Sequence, residues 1–178
     1  FMMKKISTRH IIGFVLMITL VCLPFVPQVR SLLAPKTASA ADAWWNNSWQ
    51  KRTKINFSNA SRGALTDFPI AVYLNTSRVT YGDFSANGND IRFVDADGVT
   101  LLNYEIERWN TSGTSTIWVK VPNVASSNTD YIYMYYGNSG ASAVATTTGV
   151  WDSNFVLVDH MNSNPGGTAP QSVNSVTN

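Results

Sequence analysis

Between Lys54 and Tyr136, apolar and polar residues alternate in short runs separated by Asn, Asp and Gly, a pattern that specifies strands. Six runs carry it: 54–57, 68–74, 91–95, 101–109, 116–121 and 131–136. No window after residue 40 has the 3.6-residue period of an amphipathic helix. Ser85-Ala86-Asn87-Gly88-Asn89 and Asp95-Ala96-Asp97-Gly98 read as turns, because Asn, Asp and Gly tolerate left-handed backbone. The second turn joins its two strands as a hairpin.

Successive side chains of a strand point to opposite faces, so alternation assigns a core. Ile70, Val72 and Leu74 share one side, as do Ile91 with Phe93, Leu102 with Tyr104 and Ile106, and Ile117 with Val119 and Val121. Two sheets closed on these residues make the expected fold all-β, a β-sandwich of jelly-roll-like kind, with a partly open barrel as the alternative.

The first forty residues follow a different rule. Lys4, Lys5 and Arg9 precede an uncharged run over 11–26, and Ala38-Ser39-Ala40 offers small residues for a signal peptidase. A signal-peptide helix is expected, cut between Ala40 and Ala41, and the protein is expected to be secreted or held at the cell surface. A retained anchor is the alternative, since the spacer before Ala40 is long. The run is shorter than the roughly 20 apolar residues of a membrane span, so contact with a membrane is expected only through an uncut signal. Phe1 ahead of Met2 reads as a reading-frame artefact, and the polar end at Asn178 as a truncation.

Cleavage changes the electrostatics. Of 13 basic residues, Lys4, Lys5, Arg9, Arg30 and Lys36 leave with the signal, so eight remain against 11 acidic ones, a net charge of −3. Such a surface has no footprint for nucleic acid. Cys22, the one cysteine, lies in the signal, behind a Val where a lipid-attachment site requires a small residue. The mature chain therefore has neither a disulfide nor a thiolate, and core packing must hold it together.

The side chains left over after the core is assigned are the candidates for function. Glu105, Glu107 and Trp109 share one side of their run, Trp118 and Lys120 the outer side of the next, and Tyr131, Tyr133 and Tyr135 line a third. If these strands are neighbours, Trp109, Trp118, Glu105, Glu107, Tyr133 and Tyr135 form a ligand surface suited to a polysaccharide or cell-surface glycan: rings stack on sugar C–H faces and carboxylates accept hydroxyl hydrogen bonds. The competing reading is that such aromatics fit half-buried pleated surfaces or are covered by a flanking domain.

Glu105 and Glu107 also permit glycoside hydrolysis, since two positions along a strand span about 6–7 Å, between the usual retaining and inverting separations. Acids paired on one strand face are more often solvated, so no catalytic residue is assigned. Asn89, Asp90, Asp95 and Asp97 bring oxygens together around turns, but the calcium-loop pattern lacks its later Glu. Asp90 beside Arg92 reads as a structural pair. His160 is the one histidine left after cleavage, which excludes a zinc site built on several histidines. No metal and no cofactor is expected.

Trp49, Arg52, Phe68-Pro69-Ile70, Asn89 to Phe93, Tyr104 to Trp109, Ile117 to Pro122 and Tyr133 to Asn138 together resemble the domain-of-unknown-function family twenty-three forty-one, found in secreted and surface proteins of bacteria and archaea. The likeness covers about 44–150. Trp151-Asp152-Ser153-Asn154-Phe155 through His160-Met161 resembles the junction at which members pass into a concanavalin A-like, laminin-G-type lectin domain, with Asp159 standing where an aromatic precedes the His. The resemblance implies a division into 1–40 signal peptide, 41–150 β-sandwich, and 151–178 linker and truncated start of a lectin-like domain. The expected function is a non-catalytic extracellular module assisting carbohydrate or cell-surface recognition. A spacer or assembly domain of a surface protein is the alternative, and a glycoside-active enzyme fragment the third.

Overall fold

The structure, a computed structural model, describes residues 43–161, 166–167 and 174–176. The expected signal helix and the cleavage point at Ala40 and Ala41 lie outside the described residues. Among the described residues seven strands follow one another: β1 Lys51–Phe57, β2 Leu65–Leu74, β3 Arg92–Val94, β4 Leu101–Leu102, β5 Tyr104–Arg108, β6 Ser115–Val124 and β7 Asp130–Tyr136. They form two antiparallel sheets, one in the order β1-β7-β3-β4 and the other β2-β6-β5. The fold is an all-β sandwich, as expected from the alternation, and not the partly open barrel.

The core lies between the sheets. Val72, Leu74, Ile91, Phe93, Leu102, Tyr104, Ile117, Val119 and Val121 are buried in it, with Ile70 and Ile106 packed at its border. Ile132, Met134 and Tyr136 complete it from β7, the inward partners of the outward Tyr131, Tyr133 and Tyr135. With each fully buried Val, Ile, Leu, Phe or Met side chain stabilising by about 1.5–3 kcal/mol, this cluster is the principal support of a domain without disulfides.

Two departures from simple alternation position the site. The run 101–109 is not one strand. Leu102 pairs with Phe93 in the first sheet, whereas Tyr104 pairs with Val119 in the second, so the chain changes sheets at Asn103. The inward parity of Leu102, Tyr104 and Ile106 survives because both sheets face the same core, as at sandwich corners. Further along, Ile106 faces Ile117 while Arg108 faces Thr116, leaving Glu107 as the extra residue of a β-bulge. The bulge reverses parity, so Trp109 turns to the core side, against Tyr81 and Phe84, and not to the face of Glu105 and Glu107.

The hairpin at Asp95–Gly98 forms as expected, with Gly98 at φ 77° and the Asp97 carboxylate accepting from the backbone of Val99 and Thr100. Among the described residues β2 is an edge strand, pairing with β6. Pro69 lies within it, and a proline has no N–H to offer a foreign strand.

Asp90 is not paired with Arg92. Its fully buried carboxylate accepts from Ser85 N and Oγ and from the backbone N–H groups of Gly137 and Asn138. Arg92 instead donates to the carbonyls of Asn89, Ile91 and Ser142. A carboxylate is the better acceptor for four converging donors, and a forked guanidinium suits carbonyls that diverge.

Candidate functional site

The outer face of the β2-β6-β5 sheet holds a closed constellation. Glu105 and Trp118 face each other across the β5–β6 ladder, and Glu107 projects beside them at the bulge. After β7 the chain returns over this face: Thr146 N donates to Tyr104 O at 2.9 Å, and a single helical turn, α1 (Thr147–Val150), leads into Trp151. Val150, Trp151 and Val176 form a small apolar cluster there, flanked by Trp118, Phe155 and Val158. Ser175 N donates to Val158 O, tying the covering segment to itself.

Glu105 is the centre of the arrangement, only 8% exposed. Its Oε2 accepts from Trp151 Nε1 and meets His160 Nε2 at 3.2 Å, and its Oε1 accepts from Ser175 Oγ at 3.2 Å. Glu107 Oε2 accepts from Trp118 Nε1 at 2.7 Å and stands 3.5 Å from His160 Nδ1. The imidazole thus lies between two carboxylates, nearly parallel to Trp118 at 6.1 Å between ring centres. At the border, Lys120 Nζ lies 3.0 Å from Asp152. Backbone donation from Asn154, reinforced by Lys120, holds the Asp152 carboxyl below its usual range. A cavity of about 210 Å³ opens beside these groups, lined by Glu105, Glu107, Thr147, His160, Asn174 and Ser175.

The chemistry of this cluster is saturation. A buried carboxylate is tolerable when donors surround it, and Glu105 has three. Ser175 Oγ donates to Glu105 and makes no bond to His160, so these three side chains do not stand in the order of a Ser–His–acid relay. Among the described residues, no group of three or more acidic, His or Cys side chains is placed to hold a metal ion.

The other candidates lie elsewhere. Tyr133 and Tyr135 belong to the outer face of the opposite sheet, where they too are covered. The segment 43–50 crosses them: Trp45 and Trp49 pack on Tyr135 and Val94, and Trp45 N donates to the Tyr135 hydroxyl at 3.1 Å. The Arg52 guanidinium sits 4.3 Å above the Tyr133 ring, and Lys54 Nζ 3.6 Å above Tyr131. Trp109 occupies a third place, at one end of the sandwich, in a cleft of about 420 Å³. The six residues therefore do not form one surface. Sequence reasoning singled out Glu105, Glu107 and Trp118 but not their partners Trp151, His160 and Ser175, which lie 46 or more positions beyond Glu105.

The sequence model of the family described as Domain of unknown function (DUF2341) matches residues 87–169. Over that stretch the chain is similar to DUF2341. No curated protein and no solved structure matches the chain. The DUF2341 match begins at Asn87, later than the expected 44, and continues past 150. It therefore takes in both β5–β6 and the covering stretch through His160, so Glu105, Glu107, Trp118, Trp151 and His160 all fall inside it.

Proposed function

We propose that this domain is a non-catalytic extracellular module that seats the chain following it on the outer face of its β2-β6-β5 sheet, as a spacer and assembly element of an exported surface protein. One observation carries the reading: the buried Glu105 carboxylate takes its donors from Trp151, His160 and Ser175, all of them on the covering segment. A face organised to ligate its own downstream chain is occupied before any other partner arrives. Export is supported by the charged, apolar and small-residue order of residues 1–40. A lectin-like domain after residue 151 would then be held at a defined angle to the sandwich.

Limited proteolysis of the full chain tests the seat. The segment 151–161 should resist cleavage in the wild type and become a cutting site in Glu105→Gln, whose amide presents a donor to groups that need an acceptor. Equal resistance in both proteins would end this reading. A chain ending at residue 150 should expose Trp118 and the two glutamates and show increased binding of a hydrophobic dye.

Recognition of a polysaccharide or cell-surface glycan is the second reading. It is favoured by the Trp109 cleft, which the covering segments leave open.

A further inference from the structure

Resting on that second reading, we infer that the cleft at Trp109 is a binding site for a neutral sugar unit, presented as part of a polysaccharide chain. The cleft lies between the 3₁₀ turns Tyr81–Asp83 and Ala86–Gly88 on one side and the turn after β5 on the other. Its volume of about 420 Å³ falls within the roughly 300–1,000 Å³ usual for small-molecule sites. Tyr81, Phe84, Asn87, Trp109, Asn110 and Thr111 line it, and none of its lining residues is charged.

The indole is held in place before any ligand arrives. Tyr81 and Phe84 meet it edge-on, at 5.2 and 5.5 Å between ring centres. Gly88 comes so close that an added Cβ would stand 2.9 Å from Trp109 Cζ3. Tyr81 is itself fixed, its hydroxyl donating to Leu74 O and lying 2.8 Å from Ser115 Oγ. A rigid aromatic wall loses little entropy on binding.

The polar groups around the wall are open. Asn110 Oδ1 accepts from Ser112 N, which leaves its amide nitrogen free, and among the described residues the Asn87 amide and the Thr111 hydroxyl make no hydrogen bond. An aromatic face attracts the slightly positive C–H hydrogens of a pyranose. Amides and a hydroxyl supply donors and acceptors for its ring hydroxyls. With no lining charge, a carboxylated, sulfated or amino sugar would gain no ion pair in exchange for its lost hydration.

Affinity electrophoresis of the full chain tests the assignment, with barley β-glucan, galactomannan and laminarin in the gel as neutral probes and alginate and chitosan as charged ones. At least one neutral polysaccharide should retard the protein, and neither charged one should. Trp109→Ala should weaken retention by roughly tenfold. Asn87→Gly, which keeps the left-handed backbone and removes only the amide, should weaken it by roughly fivefold. Retardation by a neutral polysaccharide that survives Asn87→Gly and Trp109→Ala would overturn the cleft assignment while leaving carbohydrate recognition standing. Retardation only by alginate or chitosan would overturn the neutral-sugar assignment and leave carbohydrate recognition standing, whereas retardation by none would overturn both.

Discussion

Glu105 shows how one side chain can be legible in kind and illegible in role. Alternation puts it outward on β5, where an acid is expected to meet water, yet it is buried beneath Trp151, His160 and Ser175. Nothing within a few residues of Glu105 announces those partners, since strand parity is a local signal and the covering is not. Replacing one carboxylate oxygen by an amide NH2 sets a donor against at least one of the three donors, so Glu105→Gln should lower stability by about 2 kcal/mol in urea titration. Tyr104 offers a pH-dependent counterpart. Burial pushes its phenol above the usual value near 10, and its hydroxyl donates to Ile91 O at 2.6 Å. The unfolded chain therefore releases this proton first. The stabilisation is complete below about pH 10 and declines as pH rises toward the folded value. Tyr104→Phe should cost about 1 kcal/mol at pH 7 and lose less stability than the wild type between pH 10 and 11, as followed by circular dichroism.

At the scale of elements, the strands and the hairpin could be read because period-2 patterning and turn chemistry are local. The sheet change at Asn103 could not, since a corner between two sheets that share a core leaves alternation in phase. The bulge at Glu107 is hidden for the opposite reason: one extra residue reverses parity without altering composition, so alternation alone puts Trp109 on the face of Glu105 and Glu107. Gly88 shows the tightness of the resulting packing. It adopts φ 72°, and an added methyl group would press on both Trp109 and Ile91. Gly88→Ala should destabilise by about 1–3 kcal/mol in thermal unfolding, from the left-handed backbone and overpacking together. In the hairpin, the hydroxyl and backbone N–H of Thr100 hold the Asp97 carboxyl below its usual range. Its contribution is present above about pH 4 and disappears as pH falls through the lowered value. Asp97→Ala should speed amide exchange at Thr100, measurable by NMR.

Seen as a whole molecule, both sheets carry aromatics outside the sandwich, and both are roofed by the chain itself, with 43–50 over one and 151–161 together with 174–176 over the other. The rank of rings and acids that suggests a single binding platform is thus divided between two covered faces and one open end. The pairing of the first strand with the last has a mechanical consequence. Lys51 stands opposite Tyr136 and Phe57 opposite Asp130, so the chain enters β1 and leaves β7 at the same end of the ladder. Tension applied at those two points would peel the strands apart one rung after another, a low-force unzipping, instead of shearing every rung at once. Loaded through these two strands, such a domain would yield early and lengthen.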